Sequence, residues 1–269
     1  MNYRFTEIFS YWDLLVNLTK KELKVKYRGT VMGFFWSLLN PLLTMLVFSF
    51  VFSFILRIGI EDFYIFFLCA LLPWNLLSSS VNMSVGSIVA NGGLIKKIYF
   101  PREIIPLSIV FSNLISFFLE MIVLFIFLIV AKYPFYRLLY FLPLLVIVQL
   151  FLVIGACFFF SSINVYFRDT QHLVNIFMMI WFYTTPIIYP LSMVPQRFLK
   201  FMVLNPMTPL IEFCRTIFYY SKHGELGFYN FFKTPGTYYF IISLSISLVV
   251  FFIGYFTFKK LEGKFAEEI

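Results

Sequence analysis

Apolar residues along this chain come in long blocks, and the blocks set the elements. Six of them, at residues 31–56, 63–90, 104–131, 138–167, 173–190 and 238–258, approach or exceed the roughly 20 residues that carry a helix across a bilayer core. Only short polar links separate most of them. The predicted fold is therefore an all-α polytopic membrane protein with six transmembrane helices. Residues 1–30 follow another period. At 100° per residue, Ile8, Trp12, Leu15, Val16, Thr19, Leu23 and Tyr27 share one side of a helix, while Asp13, Asn17, Lys20, Lys21, Lys24 and Arg28 share another. Lys26 fits neither side. A basic amphipathic helix anchored by Trp12 lies in the membrane interface, against anionic headgroups or a docking partner.

Interruptions inside the blocks carry the rest of the pattern. Asn40-Pro41 predicts a kink in the first block, because proline frees a backbone carbonyl. The second block is apolar to Leu77 and then polar, with Ser78, Ser79, Ser80, Asn82, Ser84 and Ser87. That half must face other helices or an aqueous path, since lipid would penalise it. The third block holds an acid, Glu120, read either as a proton carrier or as a carboxyl tying two helices together. Between blocks two and three, residues 91–106 mix Lys96, Lys97, Arg102 and Glu103 with Ile98, Tyr99, Phe100 and Pro101. This suits a short amphipathic segment on the membrane face that offers an aromatic knob to something beneath it; a snorkelling loop with interfacial aromatics reads equally well. Arg168-Asp169 marks a tight turn. The stretch 193–220 is apolar but is cut by Asn205-Pro206 and Thr208-Pro209 and carries Lys200, Glu212 and Arg215. Two re-entrant half-helices dipping into the outer interface account for it better than a seventh span. Glu61-Asp62 reads as a solvated turn, and 222–236 as a soluble loop.

Composition excludes whole classes of function. Hydrophobic residues make up 61% of the chain and charged ones 13%, about half the share of a soluble domain. The formal net charge of +8 is therefore read by side of the membrane, with no nucleic acid implied. With the N-terminus inside, 13 of the 21 Lys and Arg fall on that side, among them Arg4, Lys259, Lys260 and Lys264. The bias puts both termini in the cytoplasm. Residues 1–28 lack an apolar core with a small-residue cleavage site, so no cleaved leader is expected. Cys69, Cys157 and Cys214 are scattered and imply neither a disulfide framework nor a metal site. His172 and His223 are the two histidines, too isolated for a metal centre. No GxxxxGK[ST] occurs, so the chain has no phosphate-binding loop of its own. Among 39 Phe and many other aromatics, Trp74, Trp181, Phe182, Tyr183 and Tyr189 lie beside prolines or polar residues at block ends. That placement suits stacking on sugar rings, and it equally suits anchoring at the membrane interface.

Several motifs together resemble one family. RGTVMGFFWSLLNPLL (residues 28–43), LLPWNLLSSS (71–80), NGGLIKKIYFPREIIPL (91–107), FRD (167–169), TPIIYP (185–190) and NPMTPLIEFCR (205–215) are similar, in order and spacing, to the permease subunits of polysaccharide-exporting ABC-2 transporters. That group handles O-antigens, capsular polysaccharides and wall teichoic acids.

The resemblance implies a non-catalytic permease in the bacterial cytoplasmic (inner) membrane. It would act as a pair of copies with a dimer of a separate ATP-binding cassette subunit that holds ATP and Mg, and it would export a lipid-linked polysaccharide. Residues 31–269 would form the ABC-2 transmembrane domain. Lys96, Lys97, Tyr99, Phe100, Pro101, Arg102, Glu103, Arg168 and Asp169 would couple to the ATPase, the 91–106 segment as a cytoplasmic coupling helix. The N-terminal helix, with Trp12, Lys20, Lys21, Lys24 and Arg28, would contact it too. The path would run past Asn40, Trp74, Ser78, Ser79, Asn82, Ser84, Glu120, Trp181 and Tyr183. Pro186, Tyr189, Asn205, Pro206, Pro209 and Arg215 would form the outer gate. Two other classes stay open: a proton-coupled secondary transporter using Glu120, and a membrane-embedded glycosyltransferase or polymerase. The first lacks an inverted repeat and a second acid; for the second, the cytoplasmic loops offer only Glu103 and Asp169.

Overall fold

The computed structural model describes residues 10–222 and 235–269, with side chains from 238 onward in the second stretch. Arg4, Ile8 and His223, and most of the loop expected at 222–236, lie outside these residues. The described residues are helical throughout their regular structure, with no strand. This is a polytopic membrane protein. Among the described residues five helical stretches are long and apolar enough to cross a bilayer: Gly33–Ile55, Phe63–Val85, Ile104–Val130, Leu139–Tyr166 and Tyr238–Glu268.

In chain order, α1 (Trp12–Tyr27) is followed by a 3-10 turn and α2 (Trp36–Ser49), which continues as a π-helical turn, Phe50–Ile55. Pro41 sits inside α2 and is buried. Helix α3 (Phe63–Val85) is the hub: it is the most buried of the five long stretches, and Gly33–Ile55 is the least. Two short helices, Ser87–Ala90 and Gly92–Ile95, lead to α4 (Ile104–Val130). Then come α5 (Leu142–Tyr166) and α6 (Thr170–Thr184). The apolar run at 173–190 does not become one long helix. At 1.5 Å per residue the 15-residue α6 spans about 22 Å, and the chain after it turns inward, burying Thr185, Ile187 and Ile188.

Helices α7 (Gln196–Leu204) and α8 (Met207–Phe218) meet at Asn205-Pro206. They have opposite characters. No residue of α7 is buried, whereas every residue of α8 is, against α3, α5 and the long last helix α9 (Pro235–Leu261). The second predicted break, at Thr208-Pro209, does not form. Pro209 falls in the first turn of α8, where its missing N–H has no intrahelical partner to lose.

Helix α9 lies along α5, and glycine allows the contact. A Cβ on Gly155 would stand 2.5 Å from Phe251 Cα, and one on Gly254 would overlap the Gly155 carbonyl oxygen. Two apolar cores result. The larger runs through α3, α4, α5 and α8. The smaller sits at one end, where Leu15 of α1, Phe100, Ile104, Phe158, Phe258 and Phe265 converge.

Candidate functional site

Along α3, burial separates the residues by face. Ser80, Ser84 and the apolar residues are buried; Asn75, Ser78, Ser79, Asn82, Met83 and Gly86 are only half-buried. Spacings of three and four put the latter on one stripe. The half-covered face of this most enclosed of the long apolar helices is thus its polar face. Of the predicted path residues, Ser78, Ser79 and Asn82 lie on that stripe. Ser84 does not: it is fully buried and faces Cys157 of α5. Asn40 is exposed on α2, away from the enclosed face of that helix.

Glu120 joins the stripe from α4. Asn75 Nδ2 donates to its Oε2 at 3.1 Å, so this acid has a polar partner across the helix interface. Asn75 was not singled out in the sequence, although it adjoins Trp74. Lys26, the residue that fitted neither side of α1, finds its reason here. Its Nζ donates to Asn113 Oδ1 and Ser116 Oγ of α4, both at 3.1 Å, which brings a cation in beside Glu120. Trp12 remains half-exposed at the start of α1, and Lys20, Lys21, Lys24 and Arg28 face outward.

At the other end of the polar stripe, Trp74 packs edge-on against Trp181 and Phe182 of α6. Trp181 Nε1 donates to Asn205 Oδ1 at 2.7 Å, which also accepts the Met207 N–H at 3.1 Å, while Asn205 Nδ2 donates to Thr185 Oγ1 at 2.9 Å. Asn205 therefore ties α6 to the first turn of α8, as an N-cap side chain does. Trp181, Tyr183, Tyr189, Asn205 and Pro206 share the wall of one apolar groove of about 920 Å³ between α6 and α7. Pro186, Pro209 and Arg215, expected with them, are buried behind it. Arg215 is fully enclosed, with Nη1 at 2.8 Å from Glu212 Oε1 and Nη2 donating to the Ile187 carbonyl at 2.9 Å.

The 91–106 segment divides. Tyr99 is 87% exposed, and Ile98, Lys96 and Lys97 are exposed beside it. Phe100, expected to face a partner, is instead 4% exposed within the smaller core, and Glu103 is buried and ion-paired to Lys259. Arg102 leans over the Phe265 ring. Hydrophobic residues from the far end of the chain cover Phe100, and no local pattern announces them. Pro101 is half-buried, whereas Arg168 and Asp169 are exposed after Phe167 in the turn between α5 and α6.

The turn at Glu61-Asp62 is not simply solvated. Lys222 Nζ lies 2.6 Å from Glu61 Oε1 and 3.0 Å from Asp62 Oδ2, and the Tyr133 hydroxyl donates to Asp62 Oδ2 at 2.8 Å. Burial alone would raise the Asp62 carboxyl, but the hydrogen bonds from Lys222 and Tyr133 outweigh it and hold it below the ordinary carboxylate value. The Glu61 and Asp62 carboxylates push Lys222 above its usual range. Asp62 and Lys132 both take left-handed backbone conformations, at φ 47 and 58, in the two turns that frame this cluster. Among the described residues no group of His, Cys, Asp and Glu could hold a metal ion.

Comparison with known proteins gives a consistent answer. The family description "ABC-2 type transporter" matches residues 13–219. The O-antigen export system permease protein RfbA of Klebsiella pneumoniae is 34% identical over 99% of this chain and 98% of its own length. RfbA of Myxococcus xanthus is 32% identical over 98% of each chain. The polysialic acid transport protein KpsM of Escherichia coli is 23% identical over 72% of this chain and 77% of its own.

Proposed function

The chain belongs to the ABC-2 type transporter family, and from that premise we propose that it is the permease subunit of an exporter of lipid-linked polysaccharide. Relatives named for O-antigen export align over nearly the full length of both chains, which supports this substrate class over others of the family. One structural observation carries the transport role. The least covered face of α3, the most enclosed of the long apolar helices, is lined by Asn75, Ser78, Ser79 and Asn82. Such a face is costly against lipid and suits a second copy of the chain, with a hydrated path between the two.

In this reading α6 and the turn after it complete a sixth crossing, both termini are cytoplasmic, and the aromatic groove around Trp181 lies toward the outer leaflet. The chain itself is the non-catalytic part. A separate ATPase subunit binds ATP and Mg and presses on Tyr99, Ile98 and the basic residues beside them. Arg168 and Asp169 stand exposed in the neighbouring turn for the same partner. The bond from Asn75 to Glu120 favours a structural carboxyl over a proton carrier.

Two measurements test the proposal. Deleting the chain should remove the surface polysaccharide while its lipid-linked form accumulates inside. The purified chain should hydrolyse ATP only when its cassette subunit is co-purified. An unchanged cell surface, or ATP turnover by the chain alone, overturns it.

A further inference from the structure

Glu103 stands at the N-cap position of α4, where a side-chain oxygen can accept from the free N–H groups of the first turn. It makes no such bond. Its carboxylate is buried and pairs instead with Lys259 in the last turn of α9. Lys259 Nζ also donates to both oxygens of Glu262, at 3.2 and 3.3 Å, in the 3-10 turn that follows α9. The chain then folds back against the 91–106 segment. Phe265 joins Phe258 and Phe100 in the smaller core, and a Cβ on Gly92 would overlap Ile269. Residues 258–269 thus grip the segment at Gly92, Phe100 and Glu103. Helix α9 is in turn tied to α5, through the Gly155–Gly254 contact and the Tyr166 hydroxyl, which donates to the Leu261 carbonyl at 3.0 Å.

We propose that Glu103 and Lys259 are positioning residues for transport: their ion pair makes α9 follow the 91–106 segment when the ATPase displaces it. The inference rests on the reading above, in which that subunit presses on Tyr99 and Ile98. Tyr99 is exposed and the adjoining Phe100 is buried, so a push on the outer face arrives in the smaller core. Apolar side chains there resist separation but not sliding, because hydrophobic attraction has no direction. A charge-assisted hydrogen bond does have direction, and it is strong where water is excluded. A buried ion pair adds little stability over a well-packed apolar pair of similar volume, so stability alone gives no reason for one here. Without the pair, the segment moves with α4, which continues it in sequence, and slips past α9. With it, α4 and α9 move together and α5 goes with α9. The stroke then reaches two sides of the bundle instead of one helix.

The test uses inside-out membrane vesicles that carry the complete transporter and their own lipid-linked glycan. ATP hydrolysis and glycan newly protected from external periodate are measured in the same sample, per assembled complex. Glu103→Gln keeps the shape and removes the charge. It should lower the ratio of glycan moved to ATP hydrolysed about tenfold, the scale of one lost charged hydrogen bond between coupled sites. A second variant carries Glu103→Cys and Lys259→Cys, with Cys69, Cys157 and Cys214 replaced by serine. Both altered positions border a cleft of about 250 Å³, through which a short bis-methanethiosulfonate can reach them after assembly. Linking them should restore the ratio, and dithiothreitol should abolish it again, which a role in folding alone would not produce. An undiminished ratio in Glu103→Gln overturns the proposal, and so does a confirmed link that restores nothing. Tyr99→Ala separates this from the reading beneath it. If that variant lowers ATP hydrolysis while the Glu103→Gln ratio holds, the role of the pair alone is lost. If Tyr99→Ala leaves hydrolysis and export at parental values, the ATPase does not act on this segment, and both fall.

Discussion

The guanidinium carbon of Arg215 lies 3.5 Å from the centre of the Phe66 ring. A cation in the middle of a buried helix is thereby held by an aromatic face on one side and by Glu212 on the other. This contact joins α8 to α3, the most enclosed of the long apolar helices, and makes α8 a fixed part of the bundle. Of the two half-helices expected to dip into the outer interface, α7 has no buried residue and α8 is buried along its whole length.

Arg215→Leu should accordingly destabilise the protein by roughly 3–5 kcal/mol, because it leaves Glu212 buried and uncompensated. The double variant Arg215→Leu with Glu212→Leu should recover part of that loss. Thermal unfolding in detergent measures both. Additive losses would mean the two side chains are not coupled.

Tyr99 and Phe100 are neighbours with opposite fates. Phe100→Ala should cost about 3–5 kcal/mol of stability, as truncation of a buried phenylalanine does. Tyr99→Ala should leave unfolding unchanged and lower transport-linked ATP hydrolysis. Equal effects of the two substitutions on stability would contradict the division.

Gly155→Ala should lower stability by about 1–3 kcal/mol through overpacking against α9. Gly93→Ala, where an added methyl meets nothing within 4 Å, should be close to neutral. The difference between the two midpoints is the informative quantity.

Glu120→Gln should retain export, since the amide oxygen can still accept the hydrogen bond from Asn75. Transport measured with and without a proton gradient decides it. Loss of export in the variant, together with gradient dependence in the parent, would restore the proton-carrier role.

The Lys222–Asp62 link should be insensitive to pH over the neutral range. The depressed Asp62 pKa means its contribution is present above the ordinary carboxylate value and is lost as pH falls through the lowered one, below about 3.8. The raised Lys222 pKa means the other half persists until pH climbs above about 10.5. The difference in thermal unfolding midpoint between the parent and Lys222→Ala, measured in detergent, should stay flat from pH 5 to 9; a transition of that difference inside the window would rule the link out as the cause of order there.

The helical, membrane-embedded class was legible because an apolar run of bilayer length has few other solutions. The run at 104–131 and α4 differ in extent by a single residue for this reason. Residue roles were less legible wherever the deciding neighbour is remote in sequence. Phe100 reads as a knob until Phe258 and Phe265 arrive to cover it. Ser84 looks like Ser79 until the helix is placed against α5. Glu61 and Asp62 look solvated until Lys222 reaches them from 160 positions away. Lys26 was visible as an anomaly, and its meaning required the polar patch on α4.

The backbone contact between Gly155 and Gly254 bears on biogenesis. Helix α9 leaves the ribosome long after α5 has entered the bilayer, and lipid must cover the α5 notch in the interval. The closing step of maturation is then an exchange, acyl chains leaving the notch as α9 arrives. A nascent chain stalled before α9 would display an unfilled glycine face within the bilayer, where a membrane quality-control protease could recognise it.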